Sequence, residues 1–600
     1  MKIWFVSSEC APFSKSGGLA DVAFSLPPAL KEAGNRIAII TPLYQCVRNR
    51  FGDQLTKLKE IIVHLGDRFF YCGLWLGDRD GVPVWFIEND EFFDRPRLYG
   101  YDDDKLRFAF FSKAAIELLD QDMEFRPDVI HCNDWETALS VIYLKDAQSW
   151  RLDLQGIKTV YTIHNIAYQG QFGANDLWDT FALPWGWYDG GLAYEYEGRH
   201  DINLMKGAML MADAVSTVSA TYARELHLPT FGAGLQGVVD IVGPRLRGIL
   251  NGIDMDHYDP MQDKRIAAPF SSTDMAGKAV CKEKIQREFG LDVEPDVPVL
   301  VSVARLVEQK GVELIRGILP GLMEMGVQLI VYGQGDQYYI DLFNDFKAQY
   351  PGQLGFSSNY NEEMAAQVFA GADFYLMPSR FEPCGLSQMM AMRYGTIPIV
   401  HETGGLKDSV RGYREFDGIG DGFSFSDYSE QALYQAILAG VRLYYADEKT
   451  FRTLRRRCME KDFSWTRSAE QYNRMYDDIA DSSDGEPILF EEAYAQLKAV
   501  YEEIGRRRKD ELAPDYHRTL HVHIVGRGDG VFTMEISKDG VTTRPTCDSK
   551  PDFTISASLD NFLGMANGTI SADKLFLNGQ LKVSGSIVKG AEMRRLLTLN

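Results

Sequence analysis

The sequence predicts an α/β protein: two doubly wound parallel-sheet domains followed by a small α+β domain. Three observations predict it. Apolar strand-like runs alternate with helical stretches through roughly the first 475 residues, and strands apolar along their whole length belong to parallel sheets covered on both faces. The alternation breaks over Asn251–Pro260 and a polar stretch reaching Ala276, then restarts at Val297. Beyond Pro514, apolar residues recur with period two between glycine-rich turns.

The first domain, 1–250, has strands predicted at Lys2–Val6, Arg36–Thr41, Pro83–Ile87, Asp128–Cys132, Thr159–Ile163 and Ala214–Val218, with helical stretches such as Lys105–Leu119 and Ala138–Leu144 between them. The second, 251–478, has strands at Val297–Val303, Gln328–Tyr332, Phe374–Met377 and Ile397–Val400. Two such domains facing each other bring the carboxyl ends of both sheets to one cleft, where ligands bind in this architecture. Residues 479–512 read as a linker and helix: Asp477–Gly485 is acidic and small, and Glu491–Arg508 is helical with a basic end, Arg506 to Lys509. The last domain, 513–600, has strands at Leu520–Val525, Val531–Ile536 and Phe553–Ala557 and a helix at Leu559–Asn567.

Composition narrows the function. The net charge of −22 argues against nucleic acid or anionic lipid as the main partner, so an anionic substrate needs a locally basic cleft. No apolar run reaches the roughly 18 residues of a membrane span. Glu9, Lys15 and Asp21 interrupt any signal-peptide core. The eight cysteines show no C-x-x-C spacing and read as reduced thiols, which places the protein in the cytoplasm. No metal site is expected. Asp102–Asp104 precede a helix, whose N-terminal dipole favours acids, and His131 has no paired carboxylate at ligand spacing.

The chemistry gathers where strands end. After Lys2–Val6 comes Lys15-Ser16-Gly17-Gly18-Leu19-Ala20-Asp21-Val22, a glycine loop opening a helix, with a lysine able to neutralise a phosphate. The same pair of glycines also serves as a plain turn. Arg305 and Lys310 follow the strand ending at Val303, suiting a diphosphate at the switch point or, equally, a charged surface loop. Glu382 lies between Phe381 and Pro383 in the loop Pro378–Leu386, placed to bind sugar hydroxyls. Thr403-Gly404-Gly405 repeats the glycine-loop pattern after Val400, with amides able to hold phosphate. In the first domain, His131-Cys132-Asn133-Asp134-Trp135 and Thr162-Ile163-His164-Asn165 each end a strand; Asp134 and His164 are the cleft candidates.

In their order and spacing, KSGGLADV, HCNDW, YTIHN, LNGID, VARLVEQKG, SRFEPCGL and TGGLKD closely resemble the motifs of bacterial glycogen synthases and plant starch synthases, over Met1 to Asp477. The resemblance implies two Rossmann-like domains in the GT-B arrangement. It implies transfer of glucose from ADP-glucose to the nonreducing 4-OH of an α-1,4-glucan, with retention and with no metal or cofactor. In the implied site, Arg305 and Lys310 stabilise the leaving phosphate, assisted by Lys15, Gly17 and Gly18, and the backbone of Thr403, Gly404 and Gly405 holds phosphate as well. Glu382 binds the donor sugar, and His164 and Asp134 position it. Asp21 and Asn251 are further cleft contacts, Tyr360 stacks on the base, and Cys384 matches the family's cysteine in either a packing or a chemical role.

The chain also departs from the pattern. The family usually reads H-x-H-D-W-H, where this chain has Asn133 and Glu136, and Met390 stands where the wider retaining superfamily has a second glutamate. UDP-glucose as donor, a phosphorylase-like or sucrose-type transferase of the same fold, and a non-catalytic glucan-binding scaffold are the competing readings. The segment from about Asp515 to Asn600 resembles the sterol-carrier-protein-2 domain, which implies either an apolar ligand in a tunnel or a filled core.

Overall fold

The computed structural model describes all residues except 197–198, 482–489, 509–511, 515, 526–529, 547–549, 573–574, 576–580 and 586–600. Residues 482–489 of the expected linker, Lys509 and Cys547 lie outside the described residues. The chain divides into two compact units, Met1–Asp477 and Asp478–Asn600.

The larger unit contains both predicted parallel sheets. The first runs Leu246–Gly248, Ala214–Thr217, Lys158–Ile163, Val129–Asn133, Lys2–Val6, Arg36–Pro42 and Val82–Glu88, all parallel, then Arg68–Arg79 and Thr56–Leu65 in antiparallel pairing. The second is parallel throughout: Leu354–Ser357, Gln328–Tyr332, Val299–Val303, Phe374–Met377, Ile397–His401 and Phe423–Phe425. Ile3, Trp4, Phe5 and Val6, like Val299, Leu300 and Val301, are buried, as strands covered on both faces require.

Strand order fixes where ligands can bind. In the first sheet the order reverses between Lys2–Val6 and Val129–Asn133, and in the second between Val299–Val303 and Phe374–Met377. Loops leaving such neighbours turn to opposite faces and open a crevice. The four loops concerned carry Lys15 to Gly18, Asp134, Arg305 to Lys310, and Glu382.

The second sheet's chain does not end on its own lobe. Helix Trp465–Asp481 returns to the first: the Tyr476 hydroxyl lies 2.7 Å from His131 Nδ1, Asn35 Nδ2 donates to Asn473 Oδ1 at 2.7 Å, and Ser468 Oγ donates to the Leu250 carbonyl at 2.6 Å. The expected boundary at residue 478 therefore hides a crossover.

The smaller unit is a five-stranded sheet in the order Gly540–Arg544, Gly530–Ser537, His517–Ile524, Phe553–Ala557, Leu581–Gly585. Helix Phe490–Arg508, assigned from sequence to the linker segment, supplies Ala493, Leu497, Tyr501 and Ile504 to the core with Leu520, Val522, Phe532, Met534 and Phe562. Its basic end is solvated, with Arg506 and Arg507 paired to Glu503. In the described part of this core, aliphatic and aromatic side chains pack directly on one another.

Candidate active site

The first loop is built around Glu9. Its buried carboxylate accepts from the backbone amides of Ser16 and Gly17, the latter at 3.3 Å, and from Ser16 Oγ at 3.2 Å. The Gly17 amide, expected to assist phosphate binding, is thus already engaged. Gly18 differs. It opens the fifteen-residue helix Gly18–Glu32, no side chain caps that helix, and a Cβ built on Gly18 meets nothing within 4 Å. Open space beside a helix N-terminus suits an anion. Lys15 Nζ sits 2.9 Å from Asp21 Oδ1 and 2.9 Å from Glu362 Oε1, the latter on the second lobe.

Asn133 and His164 form the second cluster. The Asn133 amide donates through Nδ2 to the Val6 carbonyl at 3.0 Å, which turns its Oδ1 toward His164 Nε2, also at 3.0 Å. This network assigns the proton of His164 to Nε2 and leaves Nδ1 as an acceptor. Burial pushes the His164 pKa down to about 3, so the ring is neutral at physiological pH. Asp134 holds the loop: its Oδ1 accepts from the His164 amide at 2.8 Å, and its φ of 56° is a strained value for a non-glycine residue. Burial pushes Asp134 up to about 7 despite the amides of His164 and Asn165. With its carboxylate turned to that backbone, Asp134 fixes the loop that carries His164. His131 is structural, as its sequence favours: both ring nitrogens are engaged, with Tyr476 and with Thr162 Oγ1. Among the described residues, no group of three His, Cys, Asp or Glu side chains could hold a metal.

On the second lobe, Lys310 Nζ lies 2.5 Å from Glu382 Oε2, which also accepts from Ser379 Oγ at 3.0 Å. Gln309 Nε2 donates to the Phe381 carbonyl and the Arg380 amide to the Gln309 carbonyl, locking the two loops together. Arg305 is exposed, and among the described residues its guanidinium forms no ion pair. Tyr360 is 45 % exposed, tilted against Tyr332 at 5.5 Å. Asn251 is buried with Oδ1 unpartnered, and its backbone amide faces the Cys384 sulfur. Burial pushes the Cys384 thiol up to about 12, so it remains protonated and packs.

The turn at Thr403 departs from expectation. The Gly404 amide donates to the Glu225 carboxylate at 3.0 Å, Thr403 Oγ1 donates to the same carboxylate at 3.0 Å, and the Gly405 amide donates to the Glu382 and Pro383 carbonyls at 3.1 Å. The two glycines serve close packing. A Cβ on Gly404 would lie 2.0 Å from the Glu382 carbonyl oxygen, and one on Gly405 2.1 Å from that of Cys384.

The two lobes meet at this site. Tyr222, buried on the first lobe, feels the charges of Asp134, Glu225 and Glu382. Tyr375, beneath the second lobe's loops, feels Glu382 and Tyr360; Tyr360 in turn feels Glu362, Lys15 and Asp21. Lys15 and Asp21 of the first lobe thus lie near Tyr360 of the second, and Tyr222 lies near both Asp134 and Glu382.

Comparison with known proteins decides the family. Residues 2–241 match the starch synthase catalytic domain model, 283–452 the glycosyl transferases group 1 model, and 499–598 the SCP-2 sterol transfer family model. The chain is 41 % identical over 479 residues to a glycogen synthase of Clostridium novyi, covering 80 % of this chain and 99 % of that protein. A glycogen synthase of Streptococcus mutans is 41 % identical over 481 residues, covering 80 % and 100 %. The chain belongs to the glycogen and starch synthase family. The catalytic domain of starch synthase IV from Arabidopsis thaliana, solved bound to ADP and acarbose, superposes with a TM-score of 0.73 at 33 % identity, covering 80 % of this chain and 99 % of that one. The GT-B fold expected from the resemblance is thereby established.

Within this glycogen synthase family member, sequence reasoning missed Glu9, Glu225, Ser379 and Glu362, the acidic and hydroxyl partners that hold the loops. Ser379 and Glu9 lie inside or beside recognised motifs. Glu225 and Glu362 carry no local signal, since their partners are 178 and 347 residues away in sequence.

Proposed function

We propose that this glycosyltransferase moves glucose from ADP-glucose to the nonreducing 4-OH of an α-1,4-glucan, with retention at the anomeric carbon. The observation that carries the reading is the Lys310–Glu382 pair, set at the second sheet's switch point, with the neutral His164 at the carboxyl end of the first sheet. An ammonium has three donors. One reaches Glu382, leaving two for the departing phosphate, where developing negative charge rewards a fixed cation. Arg305 and the Gly18 amide supply further donors. Glu382 uses Oε2 for Lys310 and Ser379, so Oε1 is left to accept from a hydroxyl of the donor sugar. His164 Nδ1 accepts from the same sugar. No described side chain is placed as a covalent nucleophile, and a front-face substitution, in which the leaving phosphate takes the acceptor's proton, fits this arrangement. Tyr360 offers its half-exposed face to the base, and the ADP bound by the Arabidopsis relative supports an adenine nucleotide as the donor.

The experiment is nucleoside diphosphate release on glycogen with ADP-glucose and with UDP-glucose, in the parent and in Lys310→Ala and Glu382→Ala. Each variant is expected to lose on the order of 10²–10³ in kcat. Parental turnover in both would refute the site, and preference for UDP-glucose would refute the donor.

A further inference from the structure

The site described above depends on two lobes holding a common geometry, and one short helix connects them at the place that matters. Helix Ala220–Glu225 belongs to the first lobe and is capped by Ser219. Three of its side chains reach the second lobe. Ser219 Oγ donates to the Pro383 carbonyl at 2.7 Å. Thr221 donates its amide to Asp408 Oδ2 at 2.7 Å and its hydroxyl to Asp408 Oδ1 at 2.6 Å. Glu225 takes the Gly404 amide on both oxygens, at 3.0 and 3.1 Å, and the Thr403 hydroxyl at 3.0 Å.

The turn Glu225 holds is itself pressed against the sugar-binding loop. Gly404 passes the Glu382 carbonyl too closely for any side chain, and the Gly405 amide donates to that carbonyl at 3.1 Å. A continuous path of backbone contacts thus runs from Glu225 through Thr403–Gly405 to Glu382. At its other end, Tyr222 of the same helix accepts from the Ile166 amide at 3.2 Å, two residues beyond His164.

We propose that Glu225 is a positioning residue for glucosyl transfer, which sets the place of Glu382 relative to His164 by gripping the Thr403–Gly404 turn across the lobe boundary. The proposal rests on the transferase reading above. The turn's amides serve this grip and not phosphate, so the donor's diphosphate relies on Lys310, Arg305, Lys15 and the Gly18 amide. Releasing the turn lets Glu382 move relative to His164 while Arg305, Lys15 and the Gly18 amide stay in place. Such a displacement lowers transition-state stabilisation far more than diphosphate binding, because a shift of roughly 1 Å at a reacting centre costs on the order of 10²-fold.

The test compares the parent, Glu225→Ala and Glu225→Gln for kcat on glycogen with ADP-glucose, for inhibition by ADP alone, and for melting temperature. Glu225→Ala is expected to lower kcat about 10–100-fold while its ADP inhibition constant stays within about twofold of the parent. Glu225→Gln keeps an acceptor for the Gly404 amide and is expected to recover most of kcat. A loss of ADP affinity matching the loss of kcat overturns the proposal, because it returns the turn to the diphosphate. So does parental kcat in the alanine variant, or a glutamine variant as impaired as alanine. A parent active on neither sugar nucleotide would instead fault the transferase reading itself.

Discussion

Gly404 and Glu382 pass one another so closely that a Cβ on the glycine would stand 2.0 Å from the glutamate's carbonyl oxygen. Gly404 also has φ of +43°, on the left-handed side that L side chains disfavour by about 1–2 kcal/mol. Gly18 has neither constraint, since nothing lies within 4 Å of its would-be Cβ.

The two glycines therefore fail in different ways when replaced by alanine. Gly404→Ala is expected to lower the melting temperature and kcat together, because Glu382 must move. Gly18→Ala is expected to keep the melting temperature, or raise it slightly through better helix propensity, about 0.5–1 kcal/mol at most. Its added methyl stands where the diphosphate approaches, so the donor KM rises. Thermal melts and donor titrations of both variants decide it; an undisturbed donor KM in Gly18→Ala removes that amide from the site.

Lys310 and Glu382 make a second contrast. Both are largely buried, with side-chain exposures of 16 % and 9 %. Removing one partner of such a pair strands a charge, at a cost of about 3–5 kcal/mol. Lys310→Ala is accordingly expected to lose stability as well as turnover. The double variant Lys310→Ala, Glu382→Gln regains much of the stability and none of the activity. Denaturant unfolding alongside kcat separates the two effects; a double variant as unstable as the single one would falsify the assignment of the loss to an unpaired carboxylate.

Much of this was legible before any coordinates. Strands such as Lys2–Val6 and Val299–Val303 are apolar throughout because both faces are covered, and a continuous apolar run survives in one dimension. The pair Thr56–Leu65 and Arg68–Arg79 was missed for the opposite reason. It lies at the sheet edge with Leu58, Ile62, Phe69 and Tyr71 exposed, so its pattern matches neither a buried strand nor a polar loop. At the candidate site, type and position on loops that leave central strands single out Lys15, Asp134, His164, Lys310 and Glu382. The error at Thr403-Gly404-Gly405 is instructive. A glycine turn after a strand has the same sequence whether its amides face a phosphate or a neighbouring loop, and only the distance to Glu382 and Glu225 tells which.

The smaller unit is expected to be dispensable for transfer. Glycogen synthases of Clostridium novyi and Streptococcus mutans align over 99 % and 100 % of their own length with 80 % of this chain. The smaller unit, Asp478–Asn600, has its own core. A chain ending after Asp481 keeps helix Trp465–Asp481 and with it the Tyr476–His131 contact, and its kcat should stay within about twofold of the parent. A chain ending before Trp465 loses that contact and should fail to fold. Specific activity and thermal melts of the two truncations give the answer, and a large loss in the longer one would assign the smaller unit a part in transfer.

Glu136 gives a pH-dependent expectation. It stands where the family usually has histidine; it is buried, and its Oε2 accepts no hydrogen bond. Burial, and next the charge of Asp134, push its pKa well above the usual carboxylate range. The native protein therefore binds this proton more tightly than the unfolded chain, whose glutamates titrate near about 4.3. Stability from the group is complete below that value and is lost as pH rises toward the native one, since the unfolded chain can then shed a proton that the native site must keep. Asp134, raised to about 7, loses stability over the same direction of pH. Glu136→Gln keeps the shape, cannot ionise and cannot incur this loss. Its melting temperature should exceed the parent's by a margin that grows between about pH 5 and about pH 8, each kcal/mol of relief appearing as roughly 2–4 °C. Turnover should be kept, since Glu136 touches no group assigned to the sugar or the phosphate. A margin that stays flat with pH, or reverses at the alkaline end, would mean that Glu136 is ionised in the native protein and that some cation or water not evident from its surroundings compensates it.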